Sequence, residues 1–361
     1  SFDITVFEKK KITNKIIINL DSTKLSRDEC SLLENDIIGG VILFDHNYEN
    51  LDQTNHLIAS IKSIRDDILI SVDHEGGRVQ RFQNKFTLIP SFEDIGALYL
   101  SEPELADEAA YHSGYVSAFE LKRVGMDINF SPVIDLSSDS GVLNSRTLSE
   151  NPDIVIRLAS EYIRGHIENG VIPTMKHFPG HGSVLSDTHT NISESNYCFD
   201  DLKIHIDPFK QLHKKYQIPI MTSHIIYNRI SDEPVTTSQT WLTNLSKTIY
   251  DQKPFFISDD LEMSAITKKY SNHSKIEILN KAFSAGCNLA IITTMQTKGI
   301  IESNMSYQFY KSEYLDKLEE IEKTNMNNMD LLWPKQITYN KGSDINYQCA
   351  LESLSNLFKK K

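Results

Sequence analysis

The sequence has few of the features that mark extracellular, membrane-spanning or nucleic-acid-binding proteins. Its four cysteines are far apart and form no Cys-x-x-Cys pair, which argues against a disulfide framework or a zinc knuckle and favours a reducing compartment. No apolar run reaches the roughly 18 residues that a transmembrane helix needs. With 37 Lys and Arg against 49 Asp and Glu, the formal net charge is −12, and no basic stripe suits a nucleic-acid backbone. We therefore expect neither nucleic acid nor a membrane as a partner.

A glycine-rich dinucleotide-binding fingerprint is also missing, and its absence distinguishes between two α/β folds. The chain contains eight short apolar runs with helical segments between them, which fits a (β/α)8 barrel or a doubly wound open sheet. Because the open sheet usually carries the fingerprint, we predict a (β/α)8 TIM barrel. The expected strands are 16–20, 39–44, 68–72, 126–133, 172–175, 218–222, 255–258 and 287–293.

The helical segments show apolar residues at helical spacing and recognisable ends. Gly170 and Gly286 mark helix C-termini, and Pro208 is expected to restart a helix. The chain after about residue 296 is polar and rich in Glu, Lys and Asn. We expect a barrel over 1–295 and a C-terminal helical extension over 296–361 that packs on it. The expected helices of the barrel are 26–35, 51–65, 103–124, 153–169, 204–216, 239–250 and 274–285.

Polar and charged residues follow strand after strand of the expected barrel. In a (β/α)8 barrel the carboxyl ends of all strands meet on one face, where active sites lie. We therefore predict the active site at that face. The residues in these positions are Asp73, Asp135, Lys176, His177, His224 and Asp259.

The segment 172–189, IPTMKHFPGHGSVLSDTH, is the strongest candidate for a site because it crowds one Lys, three His and one Asp. Asp187 and His189 are two residues apart, so in an extended loop their side chains point the same way. An Asp bonded to one imidazole nitrogen fixes the tautomer and raises the basicity of the other nitrogen. His189 is therefore a candidate general acid/base. The alternative is a solvated turn in which Asp187 bonds only its own backbone.

The loop DHEGGRVQRF, residues 73–82, pairs two glycines with two acids and two arginines. Carboxylates accept hydrogen bonds from sugar hydroxyls and arginine offers forked donors, so the loop suits a polar ligand. The alternative is an internal ion-pair network in which Glu75 or Arg78 holds the loop. Arg146, in the loop after the fourth strand, and His224 are weak candidates when taken alone.

The segment ISDDLEM, residues 257–263, places two acids at the end of the seventh strand. A carboxylate that faces Lys, Arg and His stays ionised at neutral pH, as a nucleophile or an oxocarbenium stabiliser must. Because adjacent strand residues point to opposite faces, we expect only Asp259 to face the pocket. Asp260 is expected to cap the N-terminus of the following helix.

These segments together resemble glycoside hydrolase family 3, and most of all its single-domain bacterial β-N-acetylglucosaminidases of peptidoglycan recycling. The matches extend over about 17–293, nearly the whole barrel. Small departures are His74, where the family often has Gln, Thr188 in place of Ser, and Asn288 in place of Asp. In chain order the matching segments are VDHEGGRVQRF, INFSPVIDL, KHFPGHGSVLSDTH, SHIIYNRISDEPVTTSQTWL and ISDDLEM.

The resemblance implies a role for each matching residue and a cytoplasmic enzyme without cofactor or metal. Asp259 matches the catalytic nucleophile, His189 the acid/base and Asp187 its partner. The implied substrate is a muropeptide of the GlcNAc–1,6-anhydroMurNAc type, or another N-acetylglucosaminide, cleaved with retention through a covalent glycosyl-enzyme. The residues that match substrate-binding positions are Asp73, Arg81, Arg146, Lys176 and His177.

Three other functions stay open at this point. A His acid is neutral after it gives up its proton and repels an incoming anion less than a carboxylate, so phosphate could replace water and make the enzyme a phosphorylase. A metal-dependent hydrolase could recruit His177, His181, Asp187, His189 or His224, although the charge of Lys176 would repel a cation. A sugar-binding protein without catalysis is the third alternative. The chain begins at Ser1, which does not decide whether a leader was removed.

Overall fold

A parallel barrel forms the centre of the structure, a computed structural model that describes residues 15–138, 143–184, 192–293 and 344–358. The strands are β1 (Lys15–Asn19), β2 (Ile38–Leu43), β3 (Leu69–Val72), β4 (His74–Gly76), β5 (Val79–Gln80), β6 (Ile128–Asn129), β7 (Ile172–Pro173), β8 (Met175–Phe178), β9 (Ser193–Ser195), β10 (Ile220–Thr222), β11 (Ile225–Tyr227), β12 (Phe256–Asp260) and β13 (Leu289–Ile292). The order of strands in the barrel sheet is β7-β6-β3-β2-β1-β13-β12-β10-β8.

The two ends of this sheet are one stretch of chain. Only Thr174 separates β7 from β8; β7 pairs with β6, and β8 pairs with β10. The main chain of Thr174 bonds the carbonyl of Ser131, and Lys176 bridges Val133, so the interrupted strand closes the ring. The barrel therefore has eight strand positions, which confirms the predicted (β/α)8 fold. Of the expected strand over 126–133, only β6 is regular; Asp127, Phe130 and Val133 add single backbone contacts to neighbouring strands.

Helices surround the barrel. They are α1 (Arg27–Leu33), α2 (Leu51–Ile64), α3 (Phe92–Tyr99), α4 (Pro103–Arg123), α5 (Pro152–Glu168), α6 (Phe199–Tyr216), α7 (Ser246–Ile249), α8 (Ser264–Lys269), α9 (Lys275–Ala285) and α10 (Asp344–Phe358). A π-helical stretch, Thr240–Leu245, leads into α7. Pro208 lies inside α6, which begins five residues before the predicted start and is not restarted there. No helix in the described ranges is long and apolar enough to cross a membrane.

Alternate strand residues divide the core into two layers. In β1, Ile17 packs in the barrel interior, whereas Ile16 and Ile18 pack against the helices. This is the period-two alternation of a strand whose two faces are both covered. The interior layer consists of Ile17, Ile42, Leu69, Ile128, Phe130, Ile172, Met221, Ile257, Leu289 and Ile291.

Helices α4 and α5 cross at two glycines. A Cβ atom on Gly114 would lie 2.1 Å from the carbonyl oxygen of Tyr162, and one on Gly165 would lie 2.4 Å from the backbone nitrogen of Tyr115. No side chain fits at these distances, so glycine at both positions is what lets the two backbones approach so closely. The two glycines therefore set the distance between α4 and α5.

The C-terminal helix α10 packs on α4. The rings of Phe119 and Tyr347 lie 4.3 Å apart, and the Tyr347 hydroxyl donates to Glu120 Oε1 at 2.6 Å. The chain therefore has a helical C-terminal segment. The boundary near residue 295 stays a prediction, because 294–343 lie outside the described residues.

Candidate functional site

Lys176 lies at the centre of a buried ion-pair network at the carboxyl ends of the strands. Its Nζ is 2.9 Å from Asp73 Oδ1, after β3, and 2.6 Å from Glu75 Oε1 in β4. The Lys176 side chain is only 3% exposed. Burial by itself would lower the pKa of this ammonium, but the carboxylates of Asp73 and Glu75 raise the pKa above its usual value. Lys176 therefore stays charged.

Arg146 reaches the same network through Glu75. Its Nε and Nη2 donate to the two oxygens of Glu75 at 2.9 and 2.8 Å, a bidentate pair. Burial opposes ionisation of Glu75, but Arg146 and Lys176 together lower the pKa of its carboxyl to about 2. Glu75 is thus the ion-pairing residue that was considered for this loop, and it joins Arg146 to Lys176. Its role as the junction was not foreseen, although its place after a strand offered a signal.

Asp135 anchors the loop that carries His177 and His181. Its carboxylate accepts the backbone N–H of His177 at 3.0 Å and that of His181 at 2.7 Å. Asp135 Oδ2 also lies 2.7 Å from His177 Nδ1. Because Nδ1 must donate to a carboxylate, Nε2 of His177 is the nitrogen left for another partner. The sequence placed Asp135 at a strand end but did not reveal it as the partner of His177.

Asp259 lies at the carboxyl end of β12 and is partly exposed. Its Oδ1 accepts the backbone N–H of Asp260 at 2.8 Å. Burial and the proximity of His177 lower the pKa of His181 to about 4, and the negative charges of Asp135 and Asp259 oppose this shift. His181, in the loop after β8, and Asp259, in β12, therefore lie close enough for their charges to interact.

Asp260 does not cap the next helix, so that prediction was wrong. The N-cap position of α8 is Met263, which has no capping side chain. The Asp260 carboxylate instead accepts the backbone N–H groups of Glu262 at 3.1 Å and Thr293 at 3.2 Å. The helix starts at Ser264, three residues later than the prediction required.

Arg81 follows the short β4–β5 hairpin and is not part of the Lys176 network in the described structure. Its guanidinium carbon lies 5.3 Å from the ring centroid of Phe44, at the end of β2. Its Nε is buried and has no hydrogen-bond partner among the described residues. Gln80 holds the adjoining loop by donating to the carbonyl of Thr87 at 2.8 Å and accepting from the amide of Ile89 at 2.9 Å.

Two of the predicted residues, Asp187 and His189, lie outside the described residues, so the acid/base dyad stays a prediction.

His224, a weak candidate from the sequence, has both ring nitrogens within hydrogen-bond distance of the protein. Its Nδ1 lies 2.8 Å from Thr236 Oγ1, and its Nε2 lies 2.8 Å from the carbonyl oxygen of Asp260. In the part of the chain that the structure describes, no group of three or more His, Cys, Asp or Glu side chains could hold a metal ion.

Comparisons with known proteins point to one family. The model of the glycosyl hydrolase family 3 N-terminal domain matches residues 9–328. A relative from Nitrosomonas eutropha, named beta-hexosaminidase, is 36% identical over 281 residues, which are 77% of this chain and 80% of the relative.

Two solved structures have the same fold. Native NagZ from Neisseria gonorrhoeae aligns with a TM-score of 0.78 and 27% identity, over 96% of this chain and 98% of that one. The same protein in complex with N-trifluoroacetyl-D-glucosamine aligns with a TM-score of 0.77 and 27% identity, over the same shares. The match of the family model and the similarity to these relatives show that the chain belongs to glycosyl hydrolase family 3 and is a glycoside hydrolase of the β-hexosaminidase type.

Proposed function

We propose that the protein is a retaining β-N-acetylglucosaminidase that removes N-acetylglucosamine from the non-reducing end of muropeptides of the GlcNAc–1,6-anhydroMurNAc type, in peptidoglycan recycling. The observation that carries the proposal is the position of Asp259, a partly exposed carboxylate at the end of β12, at the same mouth as the buried Lys176–Glu75–Arg146 network. The name of the Nitrosomonas relative and the ligand of the Neisseria structure support the choice of sugar.

In this proposal the sugar binds to the ion-pair network around Lys176. An ammonium has three N–H groups, and Lys176 commits two of them to Asp73 and Glu75. Its third N–H can donate to a sugar hydroxyl, and the Asp73 carboxylate, 19% exposed, can accept from one. Because Glu75 and Arg146 hold Lys176 in place, this pair of groups is preorganised, which lowers the entropic cost of binding. His177, whose Nδ1 is held by the Asp135 carboxylate, can present its Nε2 to the same sugar.

Cleavage follows in two steps. In the first, an oxygen of Asp259 bonds to the anomeric carbon as the glycosidic C–O bond breaks, and His189 gives its proton to the departing oxygen. In the second, water attacks the same carbon, its proton passes to His189, and the bond to Asp259 breaks. Two inversions leave the configuration at the anomeric carbon unchanged. Asp187 keeps His189 in the tautomer that this exchange needs.

The test is turnover of 4-nitrophenyl N-acetyl-β-glucosaminide and of GlcNAc–1,6-anhydroMurNAc, with Asp259→Asn and His189→Ala beside the parent. We expect Asp259→Asn to lower kcat by roughly 10³-fold or more, since an amide is a far weaker nucleophile than a carboxylate. Asp251→Asn, the same change at an exposed residue on the loop before β12, is the matched control and should leave kcat unchanged.

His189→Ala should lower the rate with the muropeptide more than with the nitrophenyl substrate, whose leaving group needs little protonation. Sugar 1-phosphate formed in phosphate buffer would make the protein a phosphorylase instead. Loss of activity with a chelator would favour the metal-dependent reading. Full activity of Asp259→Asn would refute the nucleophile assignment, and binding without turnover by the parent protein would leave a sugar-binding role.

A further inference from the structure

Strand β12 contains a bulge at the point where it presents Asp259. Its register against β13 pairs Ile257 with Leu289 and Asp260 with Ile291. Three steps along β12 thus correspond to two along β13, and the extra residue lies within Ser258–Asp259. A bulge bends the strand and re-aims the side chains next to it. The simple alternation that would send Asp259 and Asp260 to opposite faces does not hold here.

A side chain repairs the ladder at the bulge. The backbone N–H of Ile291 donates to the hydroxyl of Ser258 at 2.9 Å, where a regular strand would offer a carbonyl oxygen. The main-chain ladder resumes beyond the bulge, where the Leu261 N–H donates to the Ile291 carbonyl at 2.9 Å. Ser258 is fully buried, so its hydroxyl satisfies an amide that would otherwise lose its partner.

The carboxyl of Asp260 ties the far side of the bulge to β13. Its Oδ1 accepts the N–H groups of Glu262 and Thr293, and its Oδ2 bonds the Thr293 hydroxyl. On the main-chain side, His224 donates its Nε2 hydrogen to the Asp260 carbonyl at 2.8 Å. The backbone N–H of Asp260 in turn donates to Asp259 Oδ1 at 2.8 Å. Every polar group of Asp260 therefore has a partner.

We infer that Asp260, together with Ser258, is a positioning residue that holds the bulge of β12 in the one geometry that aims the Asp259 carboxylate at the anomeric carbon. The inference rests on the proposed role of Asp259 as nucleophile. Asp260 does not touch the substrate in this scheme; it acts through its N–H on Asp259 Oδ1. An attacking oxygen displaced by about 1 Å can cost on the order of 100-fold in rate, so a residue of this kind affects kcat.

The geometry of Asp260, not its charge, carries this role. Burial, with the nearby Asp259 charge, raises the pKa of Asp260 to about 6. Among the described residues, His224 and Glu262 are ionisable groups close to it, and Glu262 is paired with Lys275 at 2.7 Å. A protonated Asp260 can donate to the Thr293 hydroxyl while Oδ1 still accepts both N–H groups. Asparagine offers the same donors and acceptors, so it preserves the tie.

The experiment compares Asp260→Ala with Asp260→Asn in kcat, KM and melting temperature on the nitrophenyl substrate. We expect Asp260→Ala to lower kcat on the order of 100-fold with little change in KM, and Asp260→Asn to recover at least about tenfold of that loss. Glu262→Gln, a carboxylate two residues away whose side chain takes no part in the tie, is the matched control and should leave kcat unchanged. Thr293→Val removes the hydroxyl bond to Asp260, and Ser258→Ala removes the acceptor of the Ile291 N–H. Both variants should also lower kcat, and they replace Asp260→Ala in the test if that variant does not fold.

Two results would overturn the inference. One is a kcat of Asp260→Ala within threefold of the parent; the other is an Asp260→Asn as slow as Asp260→Ala, which would mean that charge and not geometry matters. Asp259→Asn in the same series separates this outcome from the proposed function. If Asp259→Asn stays active, the nucleophile assignment fails; if it is inactive while both Asp260 variants are fully active, only the positioning role fails.

Discussion

The two sides of the barrel mouth each bury a carboxyl group, and they treat it in opposite ways. Glu75, on the side of β3 and β8, has a pKa lowered to about 2, whereas Asp260, on the side of β12, has a pKa raised to about 6. Burial by itself would raise the pKa of both carboxyl groups, so the difference comes from their neighbours. Glu75 faces the cations of Arg146 and Lys176, while Asp260 faces neutral amide and hydroxyl donors and the negative charge of Asp259.

The difference shows that the two sides of the site are held by different kinds of interaction. Ion pairs between distant loops hold the residues that we propose to bind the sugar, and they favour the charged forms of Lys176 and Glu75. Main-chain and hydroxyl donors hold the strand end that carries Asp259, so the geometry of that end persists when Asp260 gains a proton.

The largest effect is expected from breaking the network. Lys176→Met leaves the buried Glu75 and the adjacent Asp73 without their shared cation, and loss of one partner of a buried pair costs about 3–5 kcal/mol. The free energy of unfolding, from urea titration, should fall by that order, and kcat/KM should fall with it. Lys203→Met, which removes an exposed pair with Asp200, is the control and should leave the free energy of unfolding nearly unchanged. Equal losses would contradict the importance of burial.

A change away from the mouth should separate stability from catalysis. Gly114→Ala places a Cβ 2.1 Å from the Tyr162 carbonyl, so α4 and α5 must move apart at a cost of about 1–3 kcal/mol. The melting temperature should fall, while kcat at 25 °C stays near that of the parent. A kcat that falls as far as in Lys176→Met would show that mouth and helix layer are not independent.

The opposite pKa shifts predict opposite pH responses of stability. Since the folded pKa of Asp260 exceeds the unfolded value near 4, the folded state binds the extra proton, and its stability contribution rises as pH falls from about 6 to 4. The contribution of Glu75 is present above pH of about 4 and is lost as pH falls towards 2. Free energies of unfolding of Asp260→Asn and the parent, from urea titration at pH values from 7 to 4, should diverge in favour of the parent by ~1–2 kcal/mol. Parallel curves would contradict the raised pKa.

The smallest effect is expected at the C-terminal helix. Tyr347→Phe removes one hydrogen bond to Glu120, worth about 1 kcal/mol, and keeps the ring that packs on Phe119. Differential scanning calorimetry should show a slightly lower melting temperature with kcat unchanged. A large loss of activity would mean that α10 acts on the site more directly than its contacts suggest.

The sequence predicted the barrel because its signals are local. Each apolar run, and each helix end such as Gly170 or Gly286, is recognised from residues that lie close together in the chain. The charged network depends on pairs far apart in the chain: Arg146 and Glu75 are separated by 71 residues, and Lys176 and Asp73 by 103. Their presence at strand ends could be read from the sequence, but not which of them pair.

The bulge in β12 escaped prediction for a different reason. Period-two alternation assumes a regular strand, and nothing in ISDDLEM marks an extra residue. The Ser258 hydroxyl that accepts the Ile291 amide gave no pattern of its own, and Asp260 looked like a helix cap because acids are common there. The helix α3 was likewise not predicted.

The contact of α10 with α4 has a consequence for the order in which the protein can be completed during synthesis. Ile89, in the loop that follows Arg81, packs with Ala350 and Leu354 of α10, and its carbonyl accepts the N–H of Gly77 at 2.9 Å. That loop is translated early, yet the surface that covers it emerges from the ribosome some 260 residues later. The loop that follows Arg81 therefore gains this covering only after residues 350–354 have been synthesised, well after the last barrel strand, β13.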